Sequence, residues 1–298
     1  MSTRAVEKFR VRLSQQFTSL EGSHPDVDPV PNTHVVSLDW FHTELAVAWS
    51  FAKAWDAELA VPYDVKRVSA DYELPGGAPF DNPQGDLHHR DETLEGLSDL
   101  RLLFSWRAQK VLVEGDGLRL GAGFTIPTGR TEEDPYERGD LGLRHQHIQF
   151  GNGTVDPLLR ADYAVSVGRW SLFASVGAQL PLYENREEYR GAQLIDFTIG
   201  PRLMVADWLA VSVTWVALYQ TRAFWGGDPD PNSGYFLQGV QLTAPVRASS
   251  GLTIVPRIVR ALSVDTRGGG EGFDLDWIFS LSVEVAWGGE PPKKEENP

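Results

Sequence analysis

The chain has no cysteine among its 298 residues, so no disulfide, thiolate ligand or cysteine nucleophile enters the argument. It has no apolar run near the roughly 18 residues of a helical membrane span, which excludes that class of membrane protein. Positive charge is scarce: 27 Lys and Arg stand against 41 Asp and Glu, a net charge of −14. That balance argues against nucleic acid as a partner. The opening MSTRAVEKFRVRL has no apolar h-region and is not a signal peptide. No Gly-x-Ser-x-Gly elbow, P-loop or dinucleotide fingerprint occurs. The sequence calls for no cofactor.

What the chain does have is alternation. In FDLDWIFSLSVEVAW, Phe273 to Trp287, every second residue from Phe273 onward is apolar. The intervening set is Asp274, Asp276, Ile278, Ser280, Ser282, Glu284 and Ala286. Successive side chains of a strand point to opposite faces, so this is one long strand with a greasy and a polar face. A tilted membrane-crossing strand needs about 9–11 residues, more than an ordinary strand of about 5–6. The same reading recurs along the chain, for example over Leu118–Thr128 and Arg169–Tyr183, with short turns alternating with long loops.

The spacing therefore predicts an all-β chain: a single closed antiparallel transmembrane β-barrel of about 12 strands, with short periplasmic turns and long extracellular loops. Residues 1–288 form the barrel and 289–298, rich in Pro, Lys and Glu, a disordered tail. Aromatic residues near strand ends mark two membrane interfaces. Trp49, Trp55, Trp106, Trp170, Trp208 and Trp287 fall at the short-turn end, and Tyr183, Tyr219, Trp225, Tyr235 and Trp277 at the other. The expected location is the bacterial outer membrane, with the lipid bilayer and lipopolysaccharide as surroundings; the missing signal peptide stands against export.

Three motifs carry a resemblance: Gly96-Leu97-Ser98-Asp99-Leu100, Gly123-Phe124-Thr125-Ile126-Pro127-Thr128-Gly129, and Gly153-Thr154-Val155-Asp156-Pro157. With them the chain resembles the outer-membrane transporter family named for the meta-cleavage pathway of phenol degradation. Ser98 stands where that pattern has a second Gly. The resemblance implies an outer-membrane barrel that lets small, hydrophobic or aromatic molecules through.

The polar faces are expected to line a lumen with Arg101, Arg107, Arg119, Arg160, Arg202, Arg222, Arg247 and Arg257, and with Glu44, Asp64, Asp162, Asp196, Asp274, Asp276 and Glu284. Such a lining either sets ion selectivity or fills a narrow barrel with wall salt bridges, and the sequence leaves both open. Arg260 shares the greasy parity of Ile254 and Ile258, so it requires either a bulge or an interfacial place. His88, His89, His145 and His147 sit in long loops with no fixed scaffold, and no metal site is assigned to them. The functional expectation is passive diffusion of a small-molecule solute without a chemical step. A soluble ligand-binding β-barrel or sandwich is the alternative. A lipid-modifying enzyme is the lesser one, because Ser37 and Asp39 share one strand parity and His42 has the other.

Overall fold

The computed structural model describes residues 8–26, 30–82, 87, 90–267 and 272–288. The proposed tail 289–298, the chain start and the pair His88–His89 lie outside these described residues. The barrel strands are β1 (Phe9–Asp26), β2 (Asn32–Ala52), β3 (Trp55–Leu74), β4 (Leu100–Gln109), β5 (Asp116–Ile126) and β6 (Pro157–Val167). They continue with β7 (Trp170–Gln179), β8 (Leu194–Ala206), β9 (Leu209–Gln220), β10 (Tyr235–Thr243), β11 (Leu252–Thr266) and β12 (Phe273–Trp287). Each pairs antiparallel with its sequence neighbours, and β12 returns to β1 with Phe9 opposite Trp287, so the sheet of 12 strands closes.

The closed sheet is inverted relative to a soluble protein. Leu172 and Val176 on β7 are 50% and 40% exposed on the outer face, while Ser175 between them is buried on the inner face. The same holds across Leu45/Val47 against Glu44/Ala46 and across Val213/Trp215 against Ser212/Thr214. A sandwich would hide these leucines and valines between two sheets. An apolar exterior on a sheet with no free edge suits hydrocarbon, where every backbone N–H and C=O must be paired within the protein.

Several connections are more ordered than the hydrophobic pattern suggests. The β1–β2 ladder continues through Pro25 opposite Thr33, into what reads as a Pro/Asp-rich loop. Above the apolar belt both sheet faces meet water, so alternation fades while backbone pairing persists. In the β3–β4 connection, Glu92–Leu97 forms a strand on Val68–Tyr63. A short helix, α1 (Pro135–Asp140), starts at an Asp134 cap whose carboxylate accepts from Tyr136 and Glu137 N–H.

A bulge corrects one part of the expected lining. Pairing between β1 and β12 slips between Thr18 and Leu20: Thr18 faces Ile278, but Leu20 faces Leu275. The extra residue reverses side-chain parity above Ile278. Leu275 and Phe273 therefore share the inner face with Leu20, and Asp274 and Asp276 do not line the lumen. Asp276 is 75% exposed at its side chain and ion-pairs with Arg260 at 2.5 Å. Arg260 itself stands on the outer face, opposite Val240 and Trp277, with its guanidinium 4.9 Å from the Trp277 ring centroid. The adjacent bulge in β11 falls just beyond it, between the Gln238 and Gly239 pairings.

At the short-turn end, Asp116 ties the β4–β5 turn. Its carboxylate accepts from Val111, Leu112 and Val113 N–H at 2.7, 2.8 and 3.0 Å, and from the Tyr163 hydroxyl at 3.0 Å. Burial by itself raises this carboxyl, but the four donors outweigh it and hold it down at about 2. A carboxyl lowered on folding contributes stability above its unfolded pKa near 3.9 and loses it as pH falls through the folded value. Asp116→Asn is expected to lower the unfolding temperature, read as the heat-dependent gel shift of a barrel, at pH 7. The deficit should shrink between about pH 4 and pH 2; a deficit constant across that range would show that the turn does not depend on the charge.

Candidate functional site

The lumen is built from the polar parity of the strands, and its two sides differ. On β1 to β6 it is charged and ion-paired. Glu44 takes Arg12 at 3.2 Å and also Arg101. Glu58 takes Arg10 at 3.3 Å and Arg12 at 3.4 Å. Asp56 takes Arg107 and Arg119, each at 3.0 Å. Asp162 takes Arg160 at 3.0 Å and accepts from Ser175 at 2.7 Å. These groups are fixed to each other, so much of the wall charge is neutralised locally. Asp196 on β8 lies against Gly177, where any Cβ would collide with the carboxylate.

The facing wall, β9 to β12, is largely neutral. Ser212, Thr214 and Thr243 are buried on it, and Gln241 donates to Thr214 at 3.2 Å. Above them come Val259 opposite Ile278, Ala261 opposite Gly239, and Leu237 opposite Leu218. Phe273 meets Tyr235 with ring centroids 5.4 Å apart.

Toward the long-loop end, Asp64 on β3 is 2% exposed and gathers three donors. Trp40 Nε1 and His42 Nδ1 lie at 2.7 Å on one carboxylate oxygen, and Ser98 Oγ donates to the other. Ser98 can reach because the strand facing β3 is interrupted there. Ala60 faces Arg101 while Tyr63 faces Leu97, so one residue is extra on the second strand. Pro62 sits at the break. It has no N–H to give, and its carbonyl accepts from Ser98 N–H at 3.1 Å.

The three motifs of the sequence meet at this break. Asp99 accepts from Gly129 N–H at 2.9 Å and Asn152 N–H at 2.8 Å. Thr128 Oγ1 donates to the Ser98 carbonyl at 2.9 Å. Asp156 is fully buried and accepts from Asn152, Thr154 and Gln179 at 2.7, 2.6 and 2.9 Å. Burial raises the Asp99 carboxyl, and the nearby Asp156 adds to this against the backbone donors that lower it. This knot fixes both ends of the long β5–β6 loop. The loop then turns inward: Lys66 Nζ donates to the Gln149 carbonyl at 2.8 Å and lies 4.5 Å from the Phe150 ring centroid and 5.4 Å from that of Trp40.

The remaining sequence candidates fall as follows. Arg202, Arg247 and Glu284 line a cavity of about 370 Å³ at the short-turn mouth, beside Trp208, and Arg247 donates to the Asp207 carbonyl at 3.1 Å. Arg257 shares the inner face with Thr243 and Ser280. Arg222 is not on a barrel strand: β9 ends at Gln220 and Arg222 lies in the following loop. Trp225 is not interfacial: it is 5% exposed and packs, tilted, at 4.6 Å against Tyr189 in a small loop core with Ala192 and Ala223. Tyr235 shares the inward parity of Leu237. Trp49, Trp55, Trp170, Trp208 and Trp287 are outward and exposed, and Trp106 pairs with Trp55. Tyr183 is exposed at the rim and accepts from Val155 N–H at 2.8 Å, while Tyr219 lies under Arg267 at 5.5 Å. His145 and His147 pack ring to ring at 5.4 Å, and His147 packs against Tyr136 at 5.3 Å.

No protein-family model and no curated protein matches the chain. Among solved structures it is similar to an outer-membrane channel from Pseudomonas putida F1, at 14% identity and a TM-score of 0.65, covering 96% of this chain and 97% of that one. A Pseudomonas aeruginosa FadL homologue aligns at 11% identity and a TM-score of 0.47, covering 95% and 91%. The Ralstonia pickettii toluene transporter TbuX aligns at 8% and 0.46, covering 95% and 90%. The first of these shows the fold: a single closed barrel of the outer-membrane type.

Lys66→Ala removes a charged hydrogen bond worth about 1.5–3 kcal/mol at such a site. The loop from Arg130 to Phe150 should then open more often, and trypsin should cut at Arg138 or Arg144 roughly tenfold or more faster, with the barrel's heat shift retained. Unchanged cleavage would mean that the Asp99 and Asp156 knot alone holds the loop.

Proposed function

We propose that the chain is an outer-membrane channel for small hydrophobic or aromatic molecules, acting by passive diffusion without a chemical step. The observation that carries this reading is the inversion of the closed sheet, with an apolar outside around a polar inside. A soluble ligand-binding barrel would have the opposite polarity. The neutral and apolar wall of β9 to β12 is what suits a hydrophobic solute, and the paired charges opposite it suit a wetted path. The outward indoles of Trp49, Trp55, Trp170, Trp208 and Trp287 are taken to sit at the periplasmic interface. The Asp64 cluster is read as structural: Ser98 and His42 both bind the carboxylate, so the serine hydroxyl is directed away from a histidine base.

The test is reconstitution of the full chain in planar bilayers. A steady ion conductance is expected, and neutralising Arg101, Arg119 and Arg160 together should shift its selectivity toward cations. If these arginines serve only as wall salt bridges, the same changes lower thermal stability and leave selectivity alone. A folded barrel that neither conducts ions nor admits solute into liposomes would defeat the channel reading.

A further inference from the structure

One interior arginine stands apart from the ion-paired set. Arg12, Arg101, Arg107, Arg119 and Arg160 each have a carboxylate within 4.0 Å. Arg257 makes no hydrogen bond or ion pair among the described residues, and it is open to solvent. It projects inward from β11, on the neutral wall, opposite Thr243 and Ser280. The charges that act on it most are Arg12 and Arg160, both of its own sign, from the charged side. Directly beside it, the buried Thr243 hydroxyl has no hydrogen-bond partner. Arg12 and Arg160 are themselves ion-paired to Glu44, Glu58 and Asp162, so among the described residues Arg257 is left as the uncompensated charge of this part of the wall.

What lies next to it along the barrel is apolar. Two residues further on, Val259 faces Ile278, and Ile278 faces Thr18 on β1. Two residues of strand span about 7 Å, the scale of one aromatic ring joined to a carboxylate. A guanidinium donates two parallel N–H bonds to a carboxylate, and its exposure in the lumen leaves Arg257 accessible to a solute.

Resting on the channel reading above, we propose that Arg257 anchors a carboxylate site in the lumen. The preferred solute is then a small aromatic acid, with its ring on the Val259–Ile278 wall, rather than a neutral hydrocarbon. Ion pairing with Arg257 relieves its repulsion from Arg12 and Arg160, which a neutral ring cannot do.

Benzoate and benzyl alcohol are the probes, with the purified full chain and the Arg257→Gln and Arg257→Lys variants. Binding is measured by calorimetry in detergent, and block or passage by current through planar bilayers. Wild type is expected to bind benzoate roughly tenfold or more tightly than benzyl alcohol. Arg257→Gln should erase that difference with the heat shift intact, and Arg257→Lys should restore part of it. Equal affinity for the two probes in wild type, or a benzoate preference that survives Arg257→Gln, overturns the proposal. The channel reading fails separately: benzoate binding lost with Arg257→Gln, but with no conductance, would keep the site and remove the pore. Conductance without benzoate preference would keep the pore and remove the site.

Discussion

Everything in this chain follows from the need to pair each backbone N–H and C=O inside the protein where hydrocarbon surrounds it. A sheet meets that need only by closing, and here closure is complete because β12 returns to β1 in register. Once the sheet is closed, the two-residue period of a strand has two fates. One parity meets lipid and the other meets the interior. Leu172 and Val176 are exposed for the same reason that Ser175 is buried. Most arginines and carboxylates of the strands therefore meet each other in the lumen, with Arg260 and Asp276 paired on the outer face. There Asp56, buried between Arg107 and Arg119, would be costly if it lost both partners.

The interior is divided by chain order. Strands β1 to β6 carry most of the fixed charge, and β9 to β12 carry mainly hydroxyls, an amide and apolar groups, with Arg257 and Glu284 the charged exceptions. Because neighbouring strands are sequence neighbours, a compositional difference between two parts of the chain becomes a difference between two sides of the lumen. The knot of Asp99, Gly129, Asn152 and Asp156 adds a third feature, since it turns the β5–β6 loop down onto Lys66. Three short motifs, spread from Gly96 to Pro157, are close in space because each stands at the loop end of an adjacent strand.

The strands and the closed barrel were legible in the sequence because alternation is a local signal that needs no partner. The side on which a residue emerges was legible only while the register held. Asp274 and Asp276 read as lumen residues, but the slip opposite Thr18 belongs to the pairing of β1 with β12 and leaves no mark in either strand alone. Arg260 was the one visible symptom: an arginine of apolar parity beside a bulge. Trp225 carried no signal that would separate an interfacial indole from one filling a loop core with Tyr189. The Ser98 break had a readable cause in Pro62, yet nothing local linked Pro62 to a residue 36 positions later.

The seam between β1 and β12 has a consequence for assembly. Every other strand pair joins strands that are neighbours in chain order, so even the long β5–β6 loop closes far less chain than the seam does. The seam joins residue 9 to residue 287 and must wait for both ends of the chain. Its loop-closure entropy is the largest of any pair, although that cost rises only slowly with length. Until the seam forms, the unpaired edges of β1 and β12 are two sticky strands of matched pattern. A second molecule at the same stage presents the same edges, so concentration decides between a closed barrel and an open chain of copies joined edge to edge.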